Sequence, residues 1–293
     1  MSLIASSTAR PAMKRHGAVA ARRVARVKTG LLVGMASVLM LFQLFPILWM
    51  VLGAFKPGDE VTGARILPQH PTFDNITEVF TRIPFAKYLL NSFLTSIAVT
   101  ILLVGFGSLA GYALARMRFR GREVVFGMYF STLLVALPVI VVPLYIVVSE
   151  LRLADTYAGL IVPVSFTAFP VFLMRQFYLQ FPRDLEEAAD LDGAGYLRRF
   201  VSIVLPLSKP MLAALGVLTF LATWNSFLWP LTVAKSDNLW VVQVGIATFQ
   251  SQYGGEWNLI MAASMIAAIP TLVVFLILQR QIIESIKATG LKG

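Results

Sequence analysis

The chain has 293 residues, of which 57% are hydrophobic and only 14% charged, with a mean hydropathy of +0.75. An ordinary water-soluble domain carries about a quarter charged residues, so a soluble globular protein is excluded. Cysteine is absent, which excludes a disulfide framework and a thiolate metal site, and the formal charge is +10.

In chain order, the first 28 residues form a basic segment with no acidic residue. Such composition suits a mitochondrial transit peptide, but a disordered tail holding the N-terminus inside is the preferred reading. Six charge-free runs follow, at 29–55, 88–115, 124–149, 156–174, 210–234 and 257–279, of 27, 28, 26, 19, 25 and 23 residues. A helix needs roughly 20 apolar residues to cross about 30 Å of hydrocarbon. The pattern therefore predicts an all-α integral membrane protein with six transmembrane helices over 29–280, followed by a tail at 281–293. A seventh charge-free window, 238–255, holds Gln243, Gln250, Ser251, Gln252, Gly254 and Gly255. Its polarity predicts an outer excursion or a short amphipathic helix.

Charge placement sets the orientation. With the N-terminus inside, inner segments hold 19 of the 25 Lys and Arg residues and outer segments 6, while acidic residues divide 7 to 8. That is a positive-inside arrangement with both termini cytoplasmic; the basic charge signals topology, and no nucleic-acid partner is expected. The second run carries Gly107 and Gly111, which either admit a close neighbouring helix or reflect the general frequency of glycine in such helices. It ends at Arg116, Arg118, Arg120 and Arg122, expected as an anchor at the headgroups. Pro138, Pro143, Pro163 and Pro170 predict kinks in the third and fourth runs. No internal repeat is evident.

The longest inner connection, about 180–208, contains Glu187-Ala188-Ala189, three further residues, Gly193, and after nine more Ile203-Val204-Leu205-Pro206. This reads as helix, turn, helix. Asp184 can cap the first helix with Glu187 at its third position. Leu185, Ala188 and Ala189 share one face, and Gly193 suits the left-handed residue that ends a helix. A second short helix is predicted from Tyr196 to Ile203. The segment is either a docking knuckle for a soluble partner or a solvated loop.

The EAA, x3, G, x9, I-x-L-P spacing resembles the loop shared by permease subunits of bacterial ABC importers. Stretches at 88–93 (YLLNSF), 109–122 (LAGYALARMRFRGR), 224–230 (WNSFLWP), 245–258 (GIATFQSQYGGEWN) and the tail at 290–293 resemble the smaller permease subunit of the maltose-type carbohydrate branch. The likeness spans nearly the whole chain after Lys28, departing only where Ala288-Thr289 replaces a small, glycine-rich pair. It implies a type I importer fold in the bacterial cytoplasmic membrane. Its implied partners are a second homologous permease, two ATP-binding subunits and an extracytoplasmic solute-binding protein. ATP and Mg would be used by those partner subunits, with no cofactor or metal bound by this chain. The loop residues Glu187, Ala188, Ala189, Gly193, Ile203, Leu205 and Pro206 would dock the ATPase. No G-x-x-x-x-G-K-[ST] phosphate loop is present, so the chain is expected not to hydrolyse ATP.

Each span lacks full charges in its core, which favours a neutral solute such as a sugar, because an intramembrane charge would mark a charged site. Polyols and glycerol phosphates stay open as alternatives. Asn91, Trp224, Asn225 and Ser226 are candidate contacts on the solute path; helix–helix hydrogen bonding or interfacial anchoring are the competing roles. An ion-coupled secondary transporter predicts repeated halves and midplane ionisable groups, and neither is seen. A membrane enzyme predicts convergent catalytic groups, yet His16 and His70 both lie outside the spans.

Overall fold

The computed structural model describes residues 14–290 except Arg183, Asp192 and residues 252–254. The first thirteen residues of the basic tail, residues 252–254 of the seventh window and residues 291–293 of the C-terminal stretch lie outside the described residues. Two units are distinguished, residues 1–52 and residues 53–293. Helix α1 (Lys14–Ala54) makes up the first, so helical backbone extends into the segment expected as a disordered tail. Its portion Lys28–Ala54 is long and apolar enough to cross a membrane.

The second unit is all-α among its described residues. Short helices α2 (Gly58–Val61) and α3 (Asp74–Arg82) precede α4 (Phe85–Arg116), whose 32 residues span about 48 Å. Then come α5 (Arg122–Ser131), α6 (Leu137–Glu150), α7 (Tyr157–Ile161) and α8 (Ala168–Leu179). The connection continues through α9 (Asp184–Leu191), α10 (Tyr196–Arg199) and α11 (Leu205–Leu207) into α12 (Lys209–Trp224). Helices α13 (Leu228–Val233), α14 (Val242–Ser251) and α15 (Trp257–Gly290) complete the unit.

Among the described residues, three unbroken helical stretches, within α1, α4 and α15, are long and apolar enough to span a bilayer, and three bent pairs raise the number to six when each counts as one span. Prolines mark these bends. The pair Arg122–Leu134 and Leu137–Glu150 turns by 106°, and Pro138 lies in the first turn of α6, where its missing N–H leaves no bond unmade. Pro163 lies in the 3-10 turn after α7, and Pro170 in the first turn of α8, across a 41° bend. Of the four prolines expected as kinks, Pro143 alone is internal to a helix. The others start new helical segments.

The fifth run also differs from its expected single helix. Helix α12 is 16 residues long, about 24 Å, and stops at Asn225; α13 begins only at Leu228. A charge-free run measures apolar length without revealing whether the backbone inside it is continuous. The seventh window is a helix, α14, preceded by a 3-10 turn. It is not laid on a surface: Val242, Val244 and Phe249 are buried against α4 and α15. At 10 residues it covers about 15 Å and cannot cross.

Helix α4 is the central post, packed along α8 and α12, with α12 in turn packed along α15. The approach to α8 is unusually close. A Cβ added at Gly107 would stand 2.6 Å from the Pro170 Cβ, and one at Gly111 would stand 2.8 Å from the Met174 Cβ and 2.9 Å from the Arg175 nitrogen. These glycines therefore serve helix contact, which resolves the two sequence readings. Dispersion rewards such approach between apolar helices even where lipid removes the hydrophobic incentive.

Gly111→Leu is expected to wedge α4 off α8. Overpacking costs about 1–3 kcal/mol where neighbours can yield; two of the atoms met here belong to backbone, so the effect should reach the upper end. Thermal unfolding in detergent measures it, with Gly105→Leu as control, because Gly105 has open space around it.

Candidate functional site

The segment between α8 and α12 forms a two-helix knuckle. Helix α9 starts with Asp184 as a helical residue, rather than as the cap expected from the sequence. Its C-terminus closes as a Schellman motif: Ala194 N–H donates to Ala189 O at 2.9 Å and Gly193 N–H to Asp190 O at 3.0 Å. Gly193 supplies the left-handed residue, with φ +74°. A Cβ there would meet open space, so the requirement for glycine is set by the backbone alone.

The faces of α9 differ from the expected grouping. Leu185, Glu187 and Ala188 are exposed and Leu191 is 91% exposed, whereas Ala189 and Glu186 are buried. Leu185, Ala188 and Leu191, three residues apart, therefore form the free face, and Ala189 supports it from beneath. The second arm extends beyond Ile203. Helix α10, a π-helical turn at Phe200–Val204 and α11 make a run from Tyr196 to Leu207, then bend by 78° into α12. Pro206 lacks an N–H and crowds the preceding turn, and a widened turn directly before it accommodates that loss. Val204 is fully buried, Leu205 packs against the Tyr112–Met174–Tyr178 cluster, Ile203 is half-buried and Pro206 is exposed. Leu205-Pro206 thus lies within a helical arm that continues past the Ile203 end expected from the sequence.

Charged side chains seat the knuckle on the two central helices. Arg116, at the end of α4, donates through Nη2 to Phe181 O, and its Nε lies 3.7 Å from Glu186 Oε2. One turn further along the same face of α9, Arg199 Nη1 meets Asp190 Oδ2 at 2.7 Å, and its guanidinium lies 4.4 Å from the Tyr196 ring centroid. Arg175 of α8 holds Glu123 of α5 at 2.8 and 3.0 Å and stacks on Phe126 at 3.9 Å. Arg122 joins them through Glu123 at 3.0 Å. The arginine run at 116–122 is therefore divided. Arg118 and Arg120 are exposed, while Arg116, expected among the headgroup anchors, turns inward. Sequence reasoning missed Arg116, Glu186 and the Asp190–Arg199 pair. Only the i, i+4 spacing of Glu186 and Asp190 on one helix face hinted at them.

The four path candidates separate. Asn91 is buried and fully engaged: Nδ2 donates to Asn238 O and Trp240 O, each at 2.9 Å, and Oδ1 accepts from the Tyr157 hydroxyl at 2.6 Å. Trp224 is buried, with Nε1 donating to Ala267 O at 3.1 Å. Both hold helices together. Asn225 is exposed at the helix break, donating to Leu221 O and accepting from Gln243 at 3.3 Å. Ser226 lines a cavity of about 290 Å³ with Thr167, Phe169, Thr219 and Thr223. Around Asn91, Val242 N–H donates to Ser92 Oγ at 2.7 Å, and the Tyr88 ring sits directly over Gly245. These contacts explain why the polar seventh window folds inward. Among the described residues no three His, Asp or Glu side chains converge as a metal site.

Residues 104–287 match the family model for a binding-protein-dependent transport system inner membrane component. The chain belongs to that family, the permease subunits of ABC importers. This permease is 34% identical over 260 residues to the arabinooligosaccharides transport system permease protein AraQ of Bacillus subtilis, covering 87% of this chain and 92% of the relative. It is 36% identical over 256 residues to the sn-glycerol-3-phosphate transport system permease protein UgpE of Yersinia pestis, covering 84% and 91%. Its fold matches a chain of a bacterial ABC transporter that imports the acidic polysaccharide alginate, with a TM-score of 0.75 at 23% identity over 89% of this chain and 97% of the other.

At the end of the permease opposite the knuckle, Asp155 lies in the tight turn between α6 and α7 with φ +56°. Its Oδ1 accepts from the backbone N–H groups of Ser236 and Lys235, each at 2.9 Å, and from Ser236 Oγ at 3.0 Å. These bonds, the Ser236 backbone N–H foremost, hold the carboxyl below its ordinary pKa. A carboxylate depressed in the folded state stabilises above its unfolded pKa, and that contribution is lost as pH falls through the folded value. Acidification below the ordinary carboxylate range should lower the melting temperature of the wild type more steeply than that of Asp155→Asn. Parallel curves would show that this latch does not hold the turn.

Proposed function

We propose that this permease passes a sugar or related polyhydroxy solute through the cytoplasmic membrane, and that the α9 knuckle transmits the work of separate ATP-hydrolysing subunits. The observation that carries the docking role is the free face of Leu185, Ala188 and Leu191 on a helix whose other face is ion-paired and buried. Two small or apolar side chains and a projecting leucine suit insertion into a groove. A solvated loop would have no need of such rigid seating. With the knuckle cytoplasmic, the excess of Lys and Arg falls on the inner side. The family description names a binding-protein-dependent system, which supports a binding protein at the outer face; a second, homologous permease and two ATPases would complete the assembly.

A polyhydroxy cargo is supported by the permease relative named for arabinooligosaccharides. It is supported also by the cavity at the break after α12, a mainly apolar space lined by Leu103, Val164 and Leu218 into which Thr167, Ser226 and the Phe169 ring also face. Hydroxyls beside an aromatic face match the alternating polar and apolar surfaces of a sugar ring. A glycerol-phosphate-type solute is the second reading, favoured by the likeness to UgpE; its charge would then require a cation from the partner permease, because this cavity has none. Vesicle uptake with and without internal ATP tests the reading. We expect uptake to need ATP, and uptake driven by an ion gradient alone would overturn it.

Gly193→Val would force a β-branched residue to positive φ, costing about 1–3 kcal/mol. Because the site around it is open, the damage should be confined to the end of α9. We expect the ATPase to be lost on co-purification, or its hydrolysis to uncouple from uptake, while the permease itself still folds. Glu187→Ala, on an exposed side chain, should leave folding intact and isolate any direct contact with the ATPase.

A further inference from the structure

Two arginines that are not equivalent hold one face of helix α9, a turn apart. Arg199 grips Asp190 at 2.7 Å, a full charge-assisted bond. Arg116 and Glu186, with side chains 6% and 11% exposed, stand 3.7 Å apart. Arg116 Nε and Glu186 Oε1 are both buried without a hydrogen-bond partner, as are the nearby Tyr112 hydroxyl and Arg199 Nε; the difference between the two pairs is that the Arg199 guanidinium meets its carboxylate at bonding distance and the Arg116 Nε does not. Removing one charge from a buried pair is strongly unfavourable, and leaving its polar atoms unpaired adds to the cost. Such groups persist where another arrangement satisfies them. A movement of α9 toward α4 of about 1 Å would bring Nε and the carboxylate to hydrogen-bonding distance.

We infer that Arg116 is a positioning residue for coupling: α9 rocks about its tight Asp190–Arg199 pair and closes the slack Arg116–Glu186 pair, carrying knuckle motion into α4. The geometry favours this route. Arg116 is the last residue of α4, and its Nη2 is already bound to Phe181 O in the segment leading to α9. Helix α4 in turn is locked to α8 at Gly107 and Gly111 and packed along α12. A push on α9 therefore reaches the helices around the cavity through one guanidinium. The inference rests on the docking role proposed above, since it concerns what the docked knuckle does next.

The chain has no cysteine, so spin labels at Asp184→Cys, exposed in the first turn of α9, and Phe119→Cys in the purified importer complex report the setting of α9 against the end of α4. We expect one narrow inter-label distance without nucleotide and a shifted one after trapping with ATP and vanadate. Arg116→Met and Glu186→Gln should each abolish the nucleotide-dependent shift while the ATPase stays bound. The charge-reversed double variant Arg116→Glu/Glu186→Arg should restore it, which a loss of packing alone would not allow. A wild-type shift persisting in Arg116→Met, or no recovery in the double variant, overturns the inference. Failure of the docking role reads differently: Ala188→Trp would leave ATPase co-purification unchanged.

Discussion

The contact between α4 and α8 is the constraint on which the rest is built. Two glycines one turn apart let the α4 backbone meet Pro170, Met174 and the Arg175 nitrogen at distances no side chain would permit. Because the spacing is set there, the ends of both helices are set as well. At one end Arg116 and Arg175 emerge side by side and seat the knuckle and α5. Toward the other end Asn91 and Ser92 receive the loop before α14. A lipid-immersed bundle gains little from the hydrophobic effect between its helices, so close backbone approach and satisfied polar groups must hold its shape.

The two ends use different chemistry. Around Asn91 and Trp224 the links are neutral, with amide, hydroxyl and indole groups each meeting a carbonyl; charged groups join them at the same end, where the Asp155 carboxylate accepts from the 235–236 turn and Arg82 pairs with Glu78 and Glu256. The neutral bonds are short, directional and fully made, and they fix α14 in place. At the knuckle end the links are mostly ionic, and one of them, Arg116–Glu186 at 3.7 Å, is incompletely made. Ion pairs tolerate larger displacement than neutral hydrogen bonds, because Coulomb attraction falls slowly with distance. An importer subunit has to be firm where it frames the solute path and adjustable where force arrives. The contrast between these two ends fits that division.

Features governed by neighbouring residues were legible in the sequence. Gly193 ended its helix in the left-handed region because that choice depends on local backbone geometry, and the first, second and sixth apolar runs emerged as unbroken helices long enough to span because the bilayer imposes a length. Bends at Pro138 and Pro163 were legible as breaks, though their placement at the starts of helical segments was not. What escaped was set by tertiary contact. Arg116 and Glu186 lie far apart in the chain, so nothing local distinguished Arg116 from Arg118. The polar window at 238–255 read as an outer excursion or a short amphipathic helix; a short helix forms at Val242–Ser251, but that Ser92 and Tyr88 would supply it with a hydroxyl and an aromatic lid was not legible. Asn91 and Trp224 were chosen for chemistry suited to a sugar, and the same chemistry binds one helix to another. Ser226 alone of the four lines the cavity.

The central claim is that the knuckle faces the cytoplasm and is covered by an ATPase. Labelling of Leu191→Cys with a membrane-impermeant thiol reagent measures both properties, because the wild-type chain offers no competing thiol. The account predicts no labelling of intact cells, rapid labelling of inverted vesicles stripped of ATPase, and protection when the ATPase is restored. Labelling from the outside of intact cells, or equal labelling with and without the ATPase, would contradict it.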